Sequence, residues 1–257
     1  MILVLSGTAD GRLIVQDLIN HGYNVLASAT TPYGGELLAR HGAEVITGKL
    51  SINDMVALIK NRHIKLLIDA THPYAQQVSE NARQACARTQ IPYLRYQREE
   101  SSLPQHPLIH CSNSYEEAAQ QAVRHGKVIF LTTGSKTLNI FLNTARQHGA
   151  RLVVRVLPEP EVIQHCRQLG LSPADIVAMQ GPFSLELNRA LFKQYEAEVV
   201  VTKNSGTIGG TDTKVAAALE LGLPVVIISR PRVPDNSVTS RQELLKRINN
   251  ERMLHRL

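Results

Sequence analysis

The sequence predicts an α/β protein of two doubly wound domains, each a parallel sheet covered by helices. Three observations predict it. Short β-branched runs alternate with longer helical stretches from the first residue onward. Strands such as Leu66-Leu67-Ile68 are apolar without alternation, as parallel strands buried on both faces must be. At 257 residues the chain is long for one domain, and its pattern lapses into a polar stretch over 97–114 that holds Pro104 and Pro107, a crossover between domains.

In the first domain, 1–98, apolar runs place strands at 2–5, 24–28, 44–46, 66–69 and 93–95. Apolar residues at helical spacing place helices at 12–20, 33–40, 52–60 and 75–89, the last opened by Pro73 and capped by Thr71 or His72. The second domain, 99–257, repeats the grammar with strands at 128–131, 152–156, 176–179, 198–201 and 225–228. Helices fit 115–125, 137–148, 161–169, 184–192 and 214–221, and a basic amphipathic helix over 241–254 is free to fold back on either half. Both domains are therefore Rossmann-like, and their sheets are expected to face a shared cleft with ligands at the carboxyl ends of the strands.

With 43% hydrophobic and 19% charged residues the chain buries a core and is not a disordered segment. No apolar run reaches the roughly 18 to 20 residues that span a bilayer, and Met1-Ile2-Leu3-Val4-Leu5 lacks a basic leader and is cut off by Ser6-Gly7, so a soluble, cytoplasmic protein is expected. Cys86, Cys111 and Cys166 are widely spaced and odd in number, which argues for reduced thiols and against a disulfide framework or zinc site. Lys plus Arg exceed Asp plus Glu by 28 to 22, a net charge of +6 that attracts anions. Nucleic acid is disfavoured, because aromatics are 4%, Trp is absent and the basic residues are spread along the chain. A small polyanion fits better.

The chemistry-bearing segments all follow strands. Ser6-Gly7-Thr8-Ala9-Asp10-Gly11-Arg12 sits between a strand and a helix, where backbone amides and the helix dipole hold phosphate, although its two glycines are only part of the dinucleotide fingerprint. A packing turn is the competing reading. After the second strand, Thr30 and Thr31 stand where an acidic residue would receive a ribose diol, which leaves NADH and NADPH both open, with Arg12 or Thr31 available to a 2′-phosphate. Asp69-Ala70-Thr71-His72-Pro73-Tyr74-Ala75 presents Thr71 and His72 at the sheet edge, His72 being either a proton donor or a structural residue. Arg95 and Arg98 read as a carboxylate-gripping pair or as two solvated arginines.

In the second half Thr132-Thr133-Gly134-Ser135-Lys136 resembles an anion nest without the upstream glycine of a P-loop, so nucleotide hydrolysis is not supported. Phe183 follows another strand and offers an apolar wall. A glycine-rich loop from Lys203 through Ser205 and Gly206 to Gly210 reads either as a segment that closes over a ligand, which would repay its conformational entropy, or as a mobile surface loop. No paired carboxylates, Ser-His-Asp set or metal-ligand spacing appears, so the protein binds and orients while a cofactor supplies the chemistry.

These segments together resemble the precorrin-6A reductase family of cobalamin biosynthesis. The likeness rests on the turn from Ser6 to Arg12, the Asp69-Ala70-Thr71-His72-Pro73 segment, Pro92-Tyr93-Leu94-Arg95, Arg155-Val156-Leu157-Pro158, Gln180-Gly181-Pro182-Phe183-Ser184, and Thr202-Lys203-Asn204-Ser205-Gly206 followed by Gly209-Gly210. It spans nearly the whole chain and leans to the branch whose substrate carries cobalt. The resemblance implies reduction of a carbon–carbon double bond of (cobalt-)precorrin-6A by NADH or NADPH to the 6B compound. Any cobalt arrives in the substrate, and no protein metal site is expected.

The cofactor set expected on that basis is Ser6, Gly7, Thr8, Asp10, Gly11 and Arg12 at the diphosphate, Thr30 and Thr31 at the ribose, and Thr71, Ser205 and Gly206 around the nicotinamide. Arg95, Arg98, Lys136, Arg155, Phe183 and Lys214 are expected to hold the polycarboxylate tetrapyrrole, with His72, Lys203 or water giving the proton. The expected partner is that substrate alone, without membrane or nucleic acid, in a monomer or weak homo-oligomer. The alternative is a dinucleotide-binding sensor or interaction module, which would not need cationic loops on both sheets. A short-chain dehydrogenase lacks support, since Tyr195 and Tyr115 are followed four residues on by Val199 and Ala119 in place of lysine.

Overall fold

The computed structural model describes residues 1–97, 103–206, 210–230 and 237–249. By contact the chain divides into two compact units, Met1–Glu99 with Arg232–Leu257, and Glu100–Pro231.

The first unit runs β1 (Ile2–Ser6), α1 (Ala9–Asn20), β2 (Val25–Ala29), α2 (Pro32–Ala39), β3 (Glu44–Thr47), α3 (Ile52–Asn61), β4 (Leu66–Ala70), α4 (Gln76–Thr89) and β5 (Tyr93–Arg95). Its strands pair in parallel in the order β3-β2-β1-β4-β5. β1 shows why its sequence has no polar alternation. Ile2 and Val4 pack on one face with Ile14, Val15 and Leu18 of α1, while Leu3 and Leu5 pack on the other with Met55, Ile59, Ala82 and Ala85 of α3 and α4.

The second unit runs β6 (Ile109–Ser112), α5 (Tyr115–His125), β7 (Val128–Leu131), α6 (Leu138–Gln147), β8 (Arg151–Val156), α7 (Pro160–Gln168), β9 (Ile176–Ala178), α8 (Leu185–Gln194), β10 (Val199–Lys203), α9 (Thr211–Glu220) and β11 (Val225–Ile228). Its strands are also all parallel, in the order β6-β11-β10-β7-β8-β9. The direction of winding reverses between β1 and β4 in one sheet and between β7 and β10 in the other. Ligands of open α/β sheets bind at such reversals.

The closing helix, α10 (Arg241–Asn249), belongs to the first unit, where Leu244 and Ile248 join the cluster of Ile2, Val4 and Leu18. Just before it Val238 lies beside the edge strand, its N–H donating to the Arg95 carbonyl and its carbonyl accepting from the Gln97 N–H. Residues 250–254 of the predicted closing helix lie outside the described residues.

Local chemistry explains the boundaries. Thr8, Thr31, Ser114 and Ser184 each accept the N–H three residues on, and Ser51 forms a reciprocal capping box with Asp54. Four expectations are corrected. β6 lies inside the stretch read as an irregular crossover, α1 begins at Ala9 and not at Arg12, and α9 begins at Thr211 and not at Lys214. Pro73 does not open α4 either, which starts at Gln76 with Ala75 as an N-cap that makes no side-chain bond.

Candidate functional site

In the first unit the reversal between β1 and β4 is bridged by one side chain. Thr8 Oγ1 accepts the Gly11 N–H at 3.0 Å and donates to the Ala70 carbonyl at 3.1 Å, joining the start of α1 to the end of β4. Gly11 lies within the helix because a Cβ there would stand 2.3 Å from Ser6 Oγ. That close approach draws α1 onto β1. Ser6 Oγ is itself buried without a hydrogen-bond partner, and the space beside Gly7 is open. An orphaned hydroxyl, an open glycine and a helix N-terminus fit the diphosphate of a dinucleotide. Asp10 is buried in the first turn, where its charge suits the helix dipole and opposes a phosphate, so it is the least suited of the predicted contacts. Arg12 is half-buried on α1, Thr30 is exposed beyond β2, and Thr31 accepts the Gly34 N–H at 3.1 Å as the cap of α2.

At the end of β4 the Asp69 carboxylate organises the loop. It accepts the Thr71 N–H at 3.0 Å, the Thr71 hydroxyl at 2.7 Å, the Tyr93 hydroxyl at 2.7 Å and the Arg95 guanidinium. Burial first, then the charge of Asp69, raises the Tyr93 phenol above its ordinary range and pushes Cys86 up to about 12. Arg95 donates further to Thr71 Oγ1 at 2.9 Å and to the Thr71 carbonyl at 3.1 Å. Arg95 therefore braces this loop, and its fork is not held open for a substrate carboxylate as the sequence reading expected. Arg98 lies outside the described residues. His72 Nδ1 accepts the Tyr74 N–H at 3.4 Å, which puts the proton of the neutral ring on Nε2. A small cavity lined by Thr8, Asp10, Thr71, Pro73, Tyr96 and Gln97 opens at this edge.

The second unit repeats the bridge. Thr132 Oγ1 donates to the Val201 carbonyl at 2.9 Å across the reversal between β7 and β10, and the neighbouring Thr133 hydroxyl is buried without a hydrogen-bond partner. Lys136 is exposed at the end of this nest. Lys203 ends β10 with Nζ 5.2 Å from the centroid of the Tyr115 ring. The ends of its loop are tied. The Ser205 N–H donates to Thr211 Oγ1 at 2.9 Å, and that hydroxyl donates to the Lys203 carbonyl at 3.1 Å. Gly206 is buried with a φ of +76°, and residues 207–209 lie outside the described residues.

Arg155 on β8 and Lys214 on α9 are the unusual groups. They are 6% and 8% exposed, and neither has an ion-pair partner among the described residues. Arg155 Cζ stacks 4.0 Å from the centroid of Phe183, and its Nη1 donates to Asn188 Oδ1 at 2.8 Å. Burial pushes Arg155 down to about 10, and burial with the fields of Arg155 and Lys203 pushes Lys214 down to about 7. Lys203 is pushed down to about 8 by burial and by Lys136. Uncompensated buried cations that repel one another call for an anion.

The structure places the predicted Arg155 against Phe183 and within the field of Lys214, which in turn feels Lys203, while Asn188 and the bracing role of Asp69 were not anticipated from the sequence. The signal for Asn188 was a polar residue four before Phe192, on the stripe that α8 buries. Among the described residues no group of three or more His, Cys, Asp or Glu side chains is placed to hold a metal, and no helix is long and apolar enough to cross a membrane.

Residues 1–249 match the profile of the family described as precorrin-6x reductase CbiJ/CobK. The chain is 42% identical to the cobalt-precorrin-6A reductase of Priestia megaterium over 93% of its own length and 94% of the relative's. It is 39% identical to that of Salmonella typhimurium over 90% and 87%. To the precorrin-6A reductase of Rhodococcus erythropolis it is 29% identical over 93% and 92%. Among solved structures, one titled CobK precorrin-6A reductase superposes with a TM-score of 0.78 at 25% identity, covering 96% of this chain and 95% of the other.

Proposed function

The chain belongs to the precorrin-6x reductase family, and from that premise we propose that it reduces a carbon–carbon double bond of cobalt-precorrin-6A to give the 6B compound, with NADH or NADPH as reductant. The cobalt-loaded substrate is favoured because the relatives named for it are the more similar ones. The carrying observation is the buried pair Arg155 and Lys214, cations without a carboxylate among the described residues. A macrocycle bearing acetate and propionate arms supplies that countercharge.

In the first unit Ser6, Gly7, Thr8, Gly11 and Arg12 would hold the diphosphate, and Thr30 and Thr31 the adenosine ribose. When bound, the reduced nicotinamide supplies hydride to the conjugated ring. The chain's task is then to orient the macrocycle and to deliver a proton to the adjoining carbon. Arg155 and Lys214 bind its carboxylates, Phe183 supports the guanidinium, and Lys136 draws the polyanion in from solvent. Lys203 Nζ is the better acid, because an ammonium lowered to about 8 gives up its proton near neutral pH more readily than an ordinary lysine. His72, with a proton on Nε2, is the second choice. Mixing the purified protein with the cobalt-loaded 6A tetrapyrrole and each reduced cofactor, while following the macrocycle's absorbance, tests the reaction and the cofactor together. Binding of the dinucleotide with no change in the macrocycle would favour the sensor reading.

A further inference from the structure

Two arginines sit at equal depth near the ends of their strands, yet they are treated differently. Arg95 is 7% exposed and faces the carboxylate of Asp69, whereas Arg155 is 6% exposed and faces the carboxamide of Asn188. Buried guanidinium groups ordinarily require a carboxylate. We propose that Asn188 is a positioning residue whose neutral carboxamide fixes the Arg155 guanidinium over the Phe183 ring while leaving its charge, with that of Lys214, for one carboxylate arm of the ligand. This rests on the reading of the second unit as the polycarboxylate site.

The geometry of Asn188 supports this role. Its side chain is fully buried, and both ends are committed: Oδ1 accepts from Arg155 Nη1 at 2.8 Å, and Nδ2 donates to the Ser184 carbonyl at 2.9 Å and toward Thr213 Oγ1 at 3.5 Å. The amide therefore has one orientation, with its oxygen toward the arginine. Thr213 Oγ1 lies 3.2 Å from the carbonyls of both Phe183 and Gly210 and shares its one proton between them, so the amide is tied to the backbone of the segment that carries the ring. One guanidinium N–H is taken by Asn188, and Arg155 makes no other hydrogen bond among the described residues. An aspartate of the same size would neutralise the arginine from within, and the ligand would lose its partner.

The test uses the full-length protein, with uroporphyrin III and citrate as carboxylate probes, over a range of salt. Asn188→Asp is expected to weaken both probes by roughly tenfold or more and to flatten the dependence of log affinity on log salt by about one charge. Asn188→Leu removes the positioning bond without adding charge, so affinity is expected to fall while the salt slope stays. Equal affinity in parent and Asn188→Asp, or equal salt slopes in the two, overturns the proposal. Should Asn188→Asp fail to fold, Asn188→Leu decides, and unchanged affinity there overturns it. Citrate binding that responds to Asn188→Asp in a protein blind to the porphyrin keeps the proposal and removes the tetrapyrrole reading. A parent that binds neither probe removes both.

Discussion

Replacing Lys214 by Met tests the electrostatics of the second rim through folding alone. Burial, then the charges of Arg155 and Lys203, push the Lys214 amine down to about 7. In the unfolded chain it returns to the ordinary lysine value near 10.4. Between those values the unfolded state binds a proton that the native state lacks, so stability rises with pH. Lys203, at about 8, adds a second such proton above that pH. From about pH 8 upward Cys86, pushed up to about 12, keeps a proton that the unfolded chain loses, which opposes the rise and closes the useful window near pH 9. From about pH 7 to pH 9 the expected gain is about 2 kcal/mol from Lys214 and about 1 kcal/mol from Lys203. At pH 7 the buried Lys214 costs the native state roughly 4 kcal/mol by the same arithmetic. Methionine keeps most of the stem and removes the charge. Urea unfolding at low salt and three pH values is expected to show Lys214→Met more stable than the parent near neutrality, with little of the rise left, because the Lys203 gain of about 1 kcal/mol is largely offset by Cys86. A variant no more stable than the parent, or a parent whose stability is flat across the window, refutes the reasoning.

Gly11→Ala pushes its new methyl onto Ser6 and is expected to lower stability by about 1–3 kcal/mol and to weaken binding of the reduced dinucleotide; adding Ser6→Gly is expected to restore stability but not binding, because the Ser6 hydroxyl is lost with the clash, and unaltered melting and Kd in the single variant would sink the cradle. Asp69→Asn leaves Arg95 buried against a neutral group and loosens Thr71 and Tyr93, with an expected loss of about 3–5 kcal/mol in denaturant unfolding. A loss well under 1 kcal/mol would mean that the loop does not depend on this brace. Lys203→Met is expected to lower turnover more than substrate affinity and to abolish the alkaline limb of the rate profile near pH 8. His72→Asn is expected to leave single-turnover hydride transfer largely intact, and the reverse pattern would exchange the roles of the two residues.

Most elements were legible because buried parallel strands leave continuous apolar runs, and β5, α5, β7 and β11 begin and end where the pattern says. β6 escaped because it is a half-exposed edge strand whose His110 and Cys111 break the apolar run. The start of α1 was hidden by Gly11, which reads as a loop residue until Ser6 is seen beside it. The candidate site was legible only as residue types at strand ends, and in the second unit the structure gathers Arg155, Lys203 and Lys214 close enough to feel one another's charge. Arg95 misled because its partner, Asp69, lies 26 residues earlier, and a fork in a sequence looks the same whether it is braced or open. The distinction between Arg95 and Arg155 is written in the third dimension, in a carboxylate against a carboxamide.

The placement of α10 makes the first unit discontinuous along the chain. Leu244 and Ile248 pack with Ile2, Val4 and Leu18, although the whole second unit lies between them in sequence. A proteolytic cut within the second unit would therefore untether α10 from the face it covers and add the entropy of bringing two separate pieces together. Damage to one unit would then be felt as lost stability in the other.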